Sequence, residues 1–484
     1  MSQGMGHFKF LFVPMALGWS TCATAQTVYE KVLADTVGQY SSVVSVVAKG
    51  TGGAVLLAEY VNWPDTVDSG FRLFEVDDMG EVIWSHAITF PSLGWPGGHE
   101  PYLTTRGRSR ALVARNDGSG YTFVGKAPSV QGRGLLVSTD LAGAVTWSAT
   151  TEVVPNGIAQ AANGDVLVYG WDSLQSFSTR VERYDPSGAL LWSQLNPVAF
   201  GPAWSGAATL NDELLIFHGF GLERRLSQLD ASGNPTATIT NLPPVTDLAA
   251  GPAGDHFLAS TSLGNAPYSH FIQRVNAPFN LLPIEVVVQG LPTQERIRSM
   301  VVDAGGHFLL TGSRRTPGND SDRIVMYEVD ANYQLVRTLL LDPGELGTHP
   351  TWSSAGHCLT VCPDGGVVLG GIADDDDAGN QFATGYYAKI MDTTSLSINA
   401  SGGTTSLGIA PNPSDGRTSI IVPSDAPWGC SLEVRDAVGR VVHRTASHRG
   451  AQVLDLSHLA KGIYPVALIT RSGRLLNSGR IVIP

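Results

Sequence analysis

Apolar residues between positions 27 and 400 occur in short runs, and many of these runs alternate with polar residues. Turn-forming residues, chiefly Gly, Asp, Asn and Pro, bound the runs. No segment keeps the helical period of about 3.6 residues. The pattern therefore predicts an all-β chain built from many short antiparallel strands.

One turn motif recurs along this region and sets its organisation. Three segments align without a gap, each with Gly three residues after Asp and Trp four residues after Gly: Asp77–Trp84, Asp140–Trp147 and Asp185–Trp192. Asp and Gly suit the first and last positions of a tight turn that leads into a strand. Degenerate copies begin at Asp230, Asn276, Asp330 and Asp392.

A second landmark, a glycine-rich or polar turn before an apolar run, precedes each copy of the first. Its occurrences are Gly52–Leu57, Asp117–Gly125, Asn163–Gly170, Asn211–Ile216, Gly254–Leu258, Gly305–Gly312 and Asp364–Gly370. Seven units with four short strands each predict a seven-bladed β-propeller. Six or eight blades are the alternatives if one unit is misread. The early strand Thr27–Leu33 is expected to pair into the last blade and close the ring.

The first 25 residues have the pattern of a secretory signal peptide. Lys9 precedes an apolar run, and Ala23-Thr24-Ala25 fits a small-residue cleavage site. We expect a signal peptide at 1–25 and a mature chain that starts at Gln26. No later stretch approaches the roughly 20 apolar residues of a spanning helix, so no transmembrane span is predicted in the mature chain.

The last 80 or so residues carry the most specific motifs. They resemble the C-terminal sorting domain of type IX secretion cargo from Bacteroidetes-type bacteria. The resemblance implies a small β-sandwich at 405–484, handling by the type IX secretion machinery, and a secreted or outer-membrane cell-surface location. It rests on the Ala410–Gly416 opening, two strand-and-turn segments and an apolar final strand, with these motif positions: Pro411, Asn412, Pro413, Gly416, Gly439, Gly462 and Tyr464.

Composition and charge narrow the function classes. The 484 residues carry a formal net charge of −12, which argues against a general nucleic-acid binder. The expected division is a signal peptide at 1–25, a propeller at 26–400 and a sorting domain at 405–484. Cys358 and Cys362, spaced roughly 13 Å apart along a strand, are too distant for a disulfide. They are expected to be buried free thiols.

Ligand-binding residues are expected on one face of the ring. In a four-stranded meander the short glycine turns share one face, and the long connections share the other, where binding residues concentrate. Indole rings can stack on sugars while carboxylates hold hydroxyl groups. The candidate ligand contacts are Trp63, Trp95, Trp171, Trp204, Trp352, Asp172 and Glu100. The alternative is that the rings cap blade ends and the acids are solvated.

A calcium site is a weaker expectation, and no other cofactor is indicated. Asp374 and Asp376 present oxygen ligands at alternate positions, although a run of acids is more often a solvated loop. No zinc-hydrolase, nucleophile-turn or phosphate-loop motif occurs. The leading hypothesis is therefore a non-catalytic propeller that binds glycan or protein. An extracellular polysaccharide hydrolase or lyase, or a structural surface-layer component, are the alternatives.

Overall fold

The structure is a computed structural model in which a ring of four-stranded sheets precedes a small β-sandwich. It describes residues 26–33, 39–62, 69–94, 110–126, 133–172, 174, 178–209, 211–220, 223–252, 254–262, 267–276, 279–291, 295–315, 322–341, 353–375, 382–391, 408–410, 414, 416–422, 431–435, 440–447, 450–469 and 475–483. The predicted signal peptide lies outside the described residues.

Six complete blades follow one another along the chain, and each is an antiparallel meander running from the inner strand outward. The first three are β2 (Gln39–Ala48), β3 (Ala54–Asn62), β4 (Gly70–Val76) and β5 (Val82–Thr89); β6 (Leu112–Ala114), β7 (Gly120–Lys126), β8 (Gly134–Asp140) and β9 (Val145–Thr151); and β10 (Val153–Gln160), β11 (Val166–Asp172), β12 (Ser178–Tyr184) and β13 (Leu190–Phe200). A short 3-10 helix, Pro91–Leu93, follows β5.

The next three blades repeat this order. They are β14 (Ala203–Ala208), β15 (Leu214–Phe220), β16 (Glu223–Leu229) and β17 (Pro235–Thr240); β18 (Val245–Ala250), β19 (His256–Thr261), β20 (Tyr268–Asn276) and β21 (Asn280–Leu291); and β22 (Glu295–Val302), β23 (Phe308–Arg315), β24 (Asp322–Val329) and β25 (Leu335–Leu341).

The seventh blade combines the two ends of the ring. It contains β26 (Ser353–Val361), β27 (Val367–Asp375) and β28 (Phe382–Met391), and its outer strand is β1 (Gln26–Val32), which pairs antiparallel with β28. The Tyr386 hydroxyl donates a hydrogen bond to Glu30 at 2.5 Å. The prediction of a seven-bladed propeller closed by its early strand is confirmed.

The inner strands form the wall of a central channel. Each contacts the inner strand of the next blade, and β26 contacts β2, so the circle is complete. Six of them, β2, β10, β14, β18, β22 and β26, contain a register shift of the kind a β-bulge produces. Bulges increase the local twist of a strand. The residue after the shift is small or a cysteine in five of these strands and Asp247 in β18.

Neighbouring blades interlock through an aromatic ring placed against a turn glycine. A Cβ on Gly143 would lie 2.5 Å from Trp84 of the preceding blade, and one on Gly188 would lie 2.7 Å from Trp147. The same joint recurs at Gly233 with Trp192 and, across the ring closure, at Gly80 with Tyr29. The recurring Gly of the turn motif is thus required by the aromatic residue one blade earlier. Trp84, Trp147 and Trp192 of the outer strands therefore pack between blades.

Two joints exchange the positions of the bulky and small groups. At the Trp position of the fourth blade stands Ala237, and the next turn carries Phe279 at the Gly position with a φ of 77°. The fifth blade has Pro283, and the following turn carries Tyr333 with a φ of 63°. Tyr333 stacks on Phe308, with ring centroids 5.3 Å apart. An aromatic ring therefore comes from the turn where the strand lacks one.

The sorting tail forms two sheets around a core of its own. One sheet contains β29 (Gly408–Ala410), β30 (Arg417–Val422) and β33 (Gly450–Asp455); the other contains β31 (Ser431–Arg435), β32 (Val441–Ala446), β34 (Gly462–Ile469) and β35 (Leu475–Ile483). Buried residues from both sheets, among them Ile420, Leu432, Leu454 and Val466, form one cluster. The predicted small β-sandwich is confirmed.

The aromatic–glycine joint can be tested with two turn glycines that share a left-handed φ. Gly143→Ala combines backbone strain of about 1–2 kcal/mol with overpacking against Trp84 of about 1–3 kcal/mol. Gly118→Ala has the strain alone, because nothing lies within 4 Å of the added Cβ. We expect Gly143→Ala to lower the urea midpoint more than Gly118→Ala. Trp84→Ala should remove the difference, and equal effects in the wild-type background would contradict the joint.

Candidate functional site

The strand order places short turns and long connections at opposite ends of the blades. The turns within the first strand pair and within the last strand pair of a blade are tight: the Lys49 amide donates to the Gly53 carbonyl at 2.9 Å, and the Asp77 amide to Glu81 at 3.0 Å. The other two kinds of connection leave from the opposite end of the antiparallel meander. We call this second end the long-loop face, since it holds the connections after β3 and β5, for example.

Most of the predicted ligand contacts lie outside the described residues. These are Trp63, Trp95, Glu100 and Trp352, together with Asp376 of the predicted calcium site. Asp374 lies in β27, where only its backbone is described. Among the described residues, no group of three or more His, Cys, Asp or Glu side chains could hold a metal ion. The calcium site and these ligand contacts remain predictions.

Trp171 lies within a strand, which corrects the expectation that it stands in a connection. The strand β11 extends through Asp172, and Trp171 pairs with Val154 and Thr179 on either side. Its ring is half-buried, and its indole N–H is buried without a hydrogen-bond partner among the described residues. The apolar run of this strand is longer than the turn spacing suggested.

Trp204 is also a strand residue rather than a loop residue. It occupies the register shift of β14, its indole N–H donates to the Gly219 carbonyl at 2.7 Å, and its ring packs against a buried cluster that includes Leu215 and Phe217. The connection from β13 to β14 is very short, so the sequence pattern does not separate this connection from the strand that follows it. A binding role for Trp171 and Trp204 stays a prediction.

Asp172 is buried, and its carboxylate is engaged within the blade. It accepts hydrogen bonds from the Arg180 guanidinium and from the Leu174 amide, the latter at 2.8 Å. Arg180 also pairs with Glu152 at 2.8 Å and donates to Ser193 at 2.7 Å. These contacts fix the end of the third blade beside the long-loop face. They also leave the Asp172 carboxylate poorly placed to reach an external ligand.

An ion pair that the sequence did not reveal crosses the central channel. Arg110, at the start of the second blade, lies with its Nε 3.4 Å from Oδ1 of Asp247 in the fifth blade and its Nη2 3.5 Å from the Met300 carbonyl in the sixth. In a ring of seven, the fifth and sixth blades are the two farthest from the second. These contacts therefore span the axis.

Asp247 is held by its own surroundings as well. Its Oδ1 accepts hydrogen bonds from Ser205 Oγ at 2.7 Å and from the Leu248 amide at 2.8 Å, and its Oδ2 accepts one from the Met300 amide at 2.9 Å. A buried carboxylate needs such donors to remain charged. A signal was present in the sequence, because Asp247 stands where the other bulged inner strands have Ser45, Gly157 or another small residue or cysteine.

A cavity of about 390 Å³ lies beside this ion pair in the channel. Residues from the inner strands of all seven blades line it, and they come from the ends of those strands that lead into the tight turns. Most of the lining side chains are apolar. Arg110 is the one charged residue among the described residues that line it.

A second buried polar network joins the fifth and sixth blades near the long-loop face. Glu295 accepts hydrogen bonds from Tyr327 and Arg314, and its Oε2 lies 3.1 Å from His270 Nε2. Burial by itself would raise the pKa of Glu295, but the hydrogen bonds from His270, Tyr327 and Arg314 outweigh it and lower that pKa. Because Glu295 and His270 are at most 1% exposed, this network stabilises the joint and has no access to a substrate.

The two described cysteines of the seventh blade are free and buried, as predicted. Burial raises the pKa of both thiols, that of Cys362 to about 11, so neither is a reactive thiolate at neutral pH. Cys430 lies outside the described residues.

His218 gives the ring a dependence on pH. Its Nε2 lies 2.7 Å from Ser227 Oγ in the fourth blade, and its Nδ1 is buried without a partner among the described residues. Burial, assisted by the nearby Arg225, lowers the pKa of His218 to about 4. The imidazole is therefore neutral in the folded protein at pH 5, whereas a histidine in the unfolded chain, with a pKa of about 6.5, is mostly charged.

We expect the free energy of unfolding to fall as the pH drops from about 6.5 to 4. Over this range His218 is protonated in the unfolded chain, whereas it stays mostly neutral in the folded chain. The contribution of His218 amounts to roughly 3 kcal/mol at the lower pH. Urea midpoints of His218→Gln should fall less between pH 7 and pH 4.5 than those of the wild type. His86→Gln, at an exposed histidine of β5, serves as the control. Parallel pH profiles for wild type and His218→Gln would contradict this assignment.

Comparison with known proteins identifies the tail. Residues 408–483 match the family of secretion system C-terminal sorting domains. The resemblance drawn from the sequence motifs is thereby confirmed, and the type IX sorting tail makes this a secreted or cell-surface protein. Gly416, Gly462 and Tyr464 of the motif are described, and the Tyr464 hydroxyl donates to the Ala460 carbonyl at 2.7 Å. Pro411, Asn412, Pro413 and Gly439 lie outside the described residues.

Several solved structures share the general architecture at low identity. PorZ of Porphyromonas gingivalis, an essential bacterial surface component of the type IX secretion system, is 12% identical with a TM-score of 0.31, over 91% of this chain and 75% of PorZ. A protein from Lactobacillus plantarum is 11% identical with a TM-score of 0.43, over 66% of this chain and 92% of that one. Virginiamycin B lyase from Staphylococcus aureus is 10% identical with a TM-score of 0.36, over 58% and 95%.

At these identities and TM-scores the similarities carry no argument about activity. No curated protein matches the chain. Within the described ranges, no helix is long and apolar enough to cross a membrane.

Proposed function

We propose that this protein is a non-catalytic β-propeller, exported by type IX secretion, that binds an extracellular glycan or protein through its long-loop face. The single observation that carries the proposal is the combination of an export tail with a ring whose long connections all leave from one end. Loops on a rigid scaffold are the usual place for binding residues. A protein sent to the cell exterior meets polysaccharides and surface proteins there.

The residues of these connections favour a glycan over a protein ligand. In the sequence, Trp63 follows β3, Trp95 follows β5 and Trp352 precedes β26, and Glu100 follows Trp95 closely. Indole rings stack on the apolar faces of sugars, and neighbouring carboxylates accept hydrogen bonds from sugar hydroxyls. Trp171 and Asp172 contribute less to the proposal, since one is half-buried and the other is paired with Arg180.

The centre of the ring argues against the hydrolase alternative. Glycoside hydrolysis needs two carboxyl groups that face each other at about 5–10 Å across the substrate. The Asp247 carboxylate in the channel is already contacted by Arg110. A substrate chain threaded along the axis would have to displace this ion pair.

Export can be tested by deletion of residues 408–483. The protein without its tail should accumulate in the periplasm, because the sorting domain is the segment that the secretion machinery handles. Immunoblots of periplasm, cell surface and medium measure the distribution. Unchanged appearance outside the cell after deletion would overturn the assignment of the tail's role.

Binding can be tested with the triple variant Trp63→Ala, Trp95→Ala and Trp352→Ala on an array of plant and bacterial polysaccharides. The wild-type protein should bind at least one polymer, and the triple variant should lose that binding without a change in melting temperature. Trp428→Ala, in the tail, is the matched control. Binding that survives the triple substitution would refute the long-loop face, and polymer cleavage by the wild type would restore the hydrolase alternative.

A further inference from the structure

We propose that the channel cavity on the side of the tight turns is a binding site for a small monocarboxylate with an aliphatic body, and that Arg110 holds the carboxylate. This site is distinct from the long-loop face. It rests on the cavity, on the chemistry of its lining and on the state of the Arg110 guanidinium.

The cavity has the dimensions of a ligand site. Its volume of about 390 Å³ lies within the range of roughly 300–1,000 Å³ that is usual for small-molecule pockets. Ala250, at the end of β18 next to the tight turn, lines the cavity and is exposed, so the cavity reaches solvent at that end. Arg110 also lines the cavity, and its guanidinium contacts Asp247 across the channel.

The lining favours an apolar body with a single polar end. Val47, Val113 and Val301 come from three different inner strands, and they are only partly buried against the clusters between the blades, so aliphatic surface reaches the cavity. Burial of an aliphatic or aromatic group here is favourable by about 25 cal/mol per Å² of apolar surface.

Arg110 retains hydrogen-bonding capacity for an anion. Its two contacts, at 3.4 Å to Asp247 and 3.5 Å to the Met300 carbonyl, lie at the long limit for hydrogen bonds. A guanidinium has five N–H donors, which leaves several for another acceptor. Because Ser205 and two backbone amides already hold the Asp247 carboxylate, Arg110 can serve a second carboxylate without leaving Asp247 unsolvated.

The charge of the site selects a monocarboxylate over a phosphate. Asp247 already offsets part of the Arg110 charge, so the site suits one negative charge better than two, and a guanidinium meets a carboxylate in a bidentate geometry. A dianionic phosphate would need further donors to offset its loss of hydration. A neutral alcohol of the same length would forgo the charge-assisted pair altogether.

Titration calorimetry of the full chain with octanoate, and with octan-1-ol as the neutral counterpart, tests the site. We expect one octanoate to bind per chain, at least roughly tenfold more tightly than octan-1-ol. Arg110→Gln should abolish this preference, and Val113→Phe, which fills the cavity, should weaken both ligands. Arg323→Gln, at an exposed arginine of β24, should change neither affinity.

Three results would overturn the proposal: no octanoate binding by the wild type, equal affinity for octanoate and octan-1-ol, or an Arg110→Gln variant that keeps the preference. If Arg110→Gln fails to fold, Arg110→Lys decides in its place. A lysine keeps the charge but loses the bidentate geometry, so weakened octanoate binding with unchanged octan-1-ol binding would support the site. None of these outcomes involves glycan binding, so this experiment and the test of the long-loop face are independent.

Discussion

The contact between successive blades is the constraint on which the ring depends. A four-stranded sheet buries its faces only against its neighbours, and here each joint of the described first half contains one aromatic ring set against a turn without a side chain. Trp84 packs against Gly143 in this way, and Tyr29 packs against Gly80 where the seventh blade meets the first. Since protein interiors are close-packed, two bulky groups at one joint would overpack it and two small ones would leave a void.

This constraint explains why the motif decays without loss of the fold. Where the strand residue is Ala237 or Pro283, the turn residue of the following blade is Phe279 or Tyr333, so the same joint receives its aromatic ring from the turn. The turn residue then holds a positive φ that non-glycine residues adopt with strain. The volume at the joint is maintained, while the residue identities at each position are free to change.

The sequence was sufficient for those features that are local and repeated. The Asp–Gly–Trp spacing predicts the blades, and the pattern at Thr27–Leu33 predicts the strand that completes the last one. Both predictions succeed because a strand or a turn depends on a few adjacent residues. The tail motifs likewise identified the sorting domain. Trp171 and Trp204 were misplaced because a pattern gives strand boundaries only to within a few residues.

Sequence patterns of this kind do not predict the side-chain contacts at the axis of the ring. Arg110 and Asp247 are separated by 137 residues and meet only because seven units bring the second blade opposite the fifth. A repeat pattern describes only the positions that recur from blade to blade, and Arg110 and Asp247 are not such positions. The most distinctive chemistry of the channel thus comes from a departure from the internal symmetry.

The pairing of β1 with β28 has a consequence for the timing of folding. Strand β1 finds its partner more than 350 residues later, and contacts of such long sequence separation form slowly. A partly synthesised or partly translocated chain cannot complete its seventh blade, because Gln26–Val32 must wait for Phe382–Met391. The sorting tail begins shortly after that last strand. A chain whose sorting tail has been synthesised therefore already contains every strand of the seven blades.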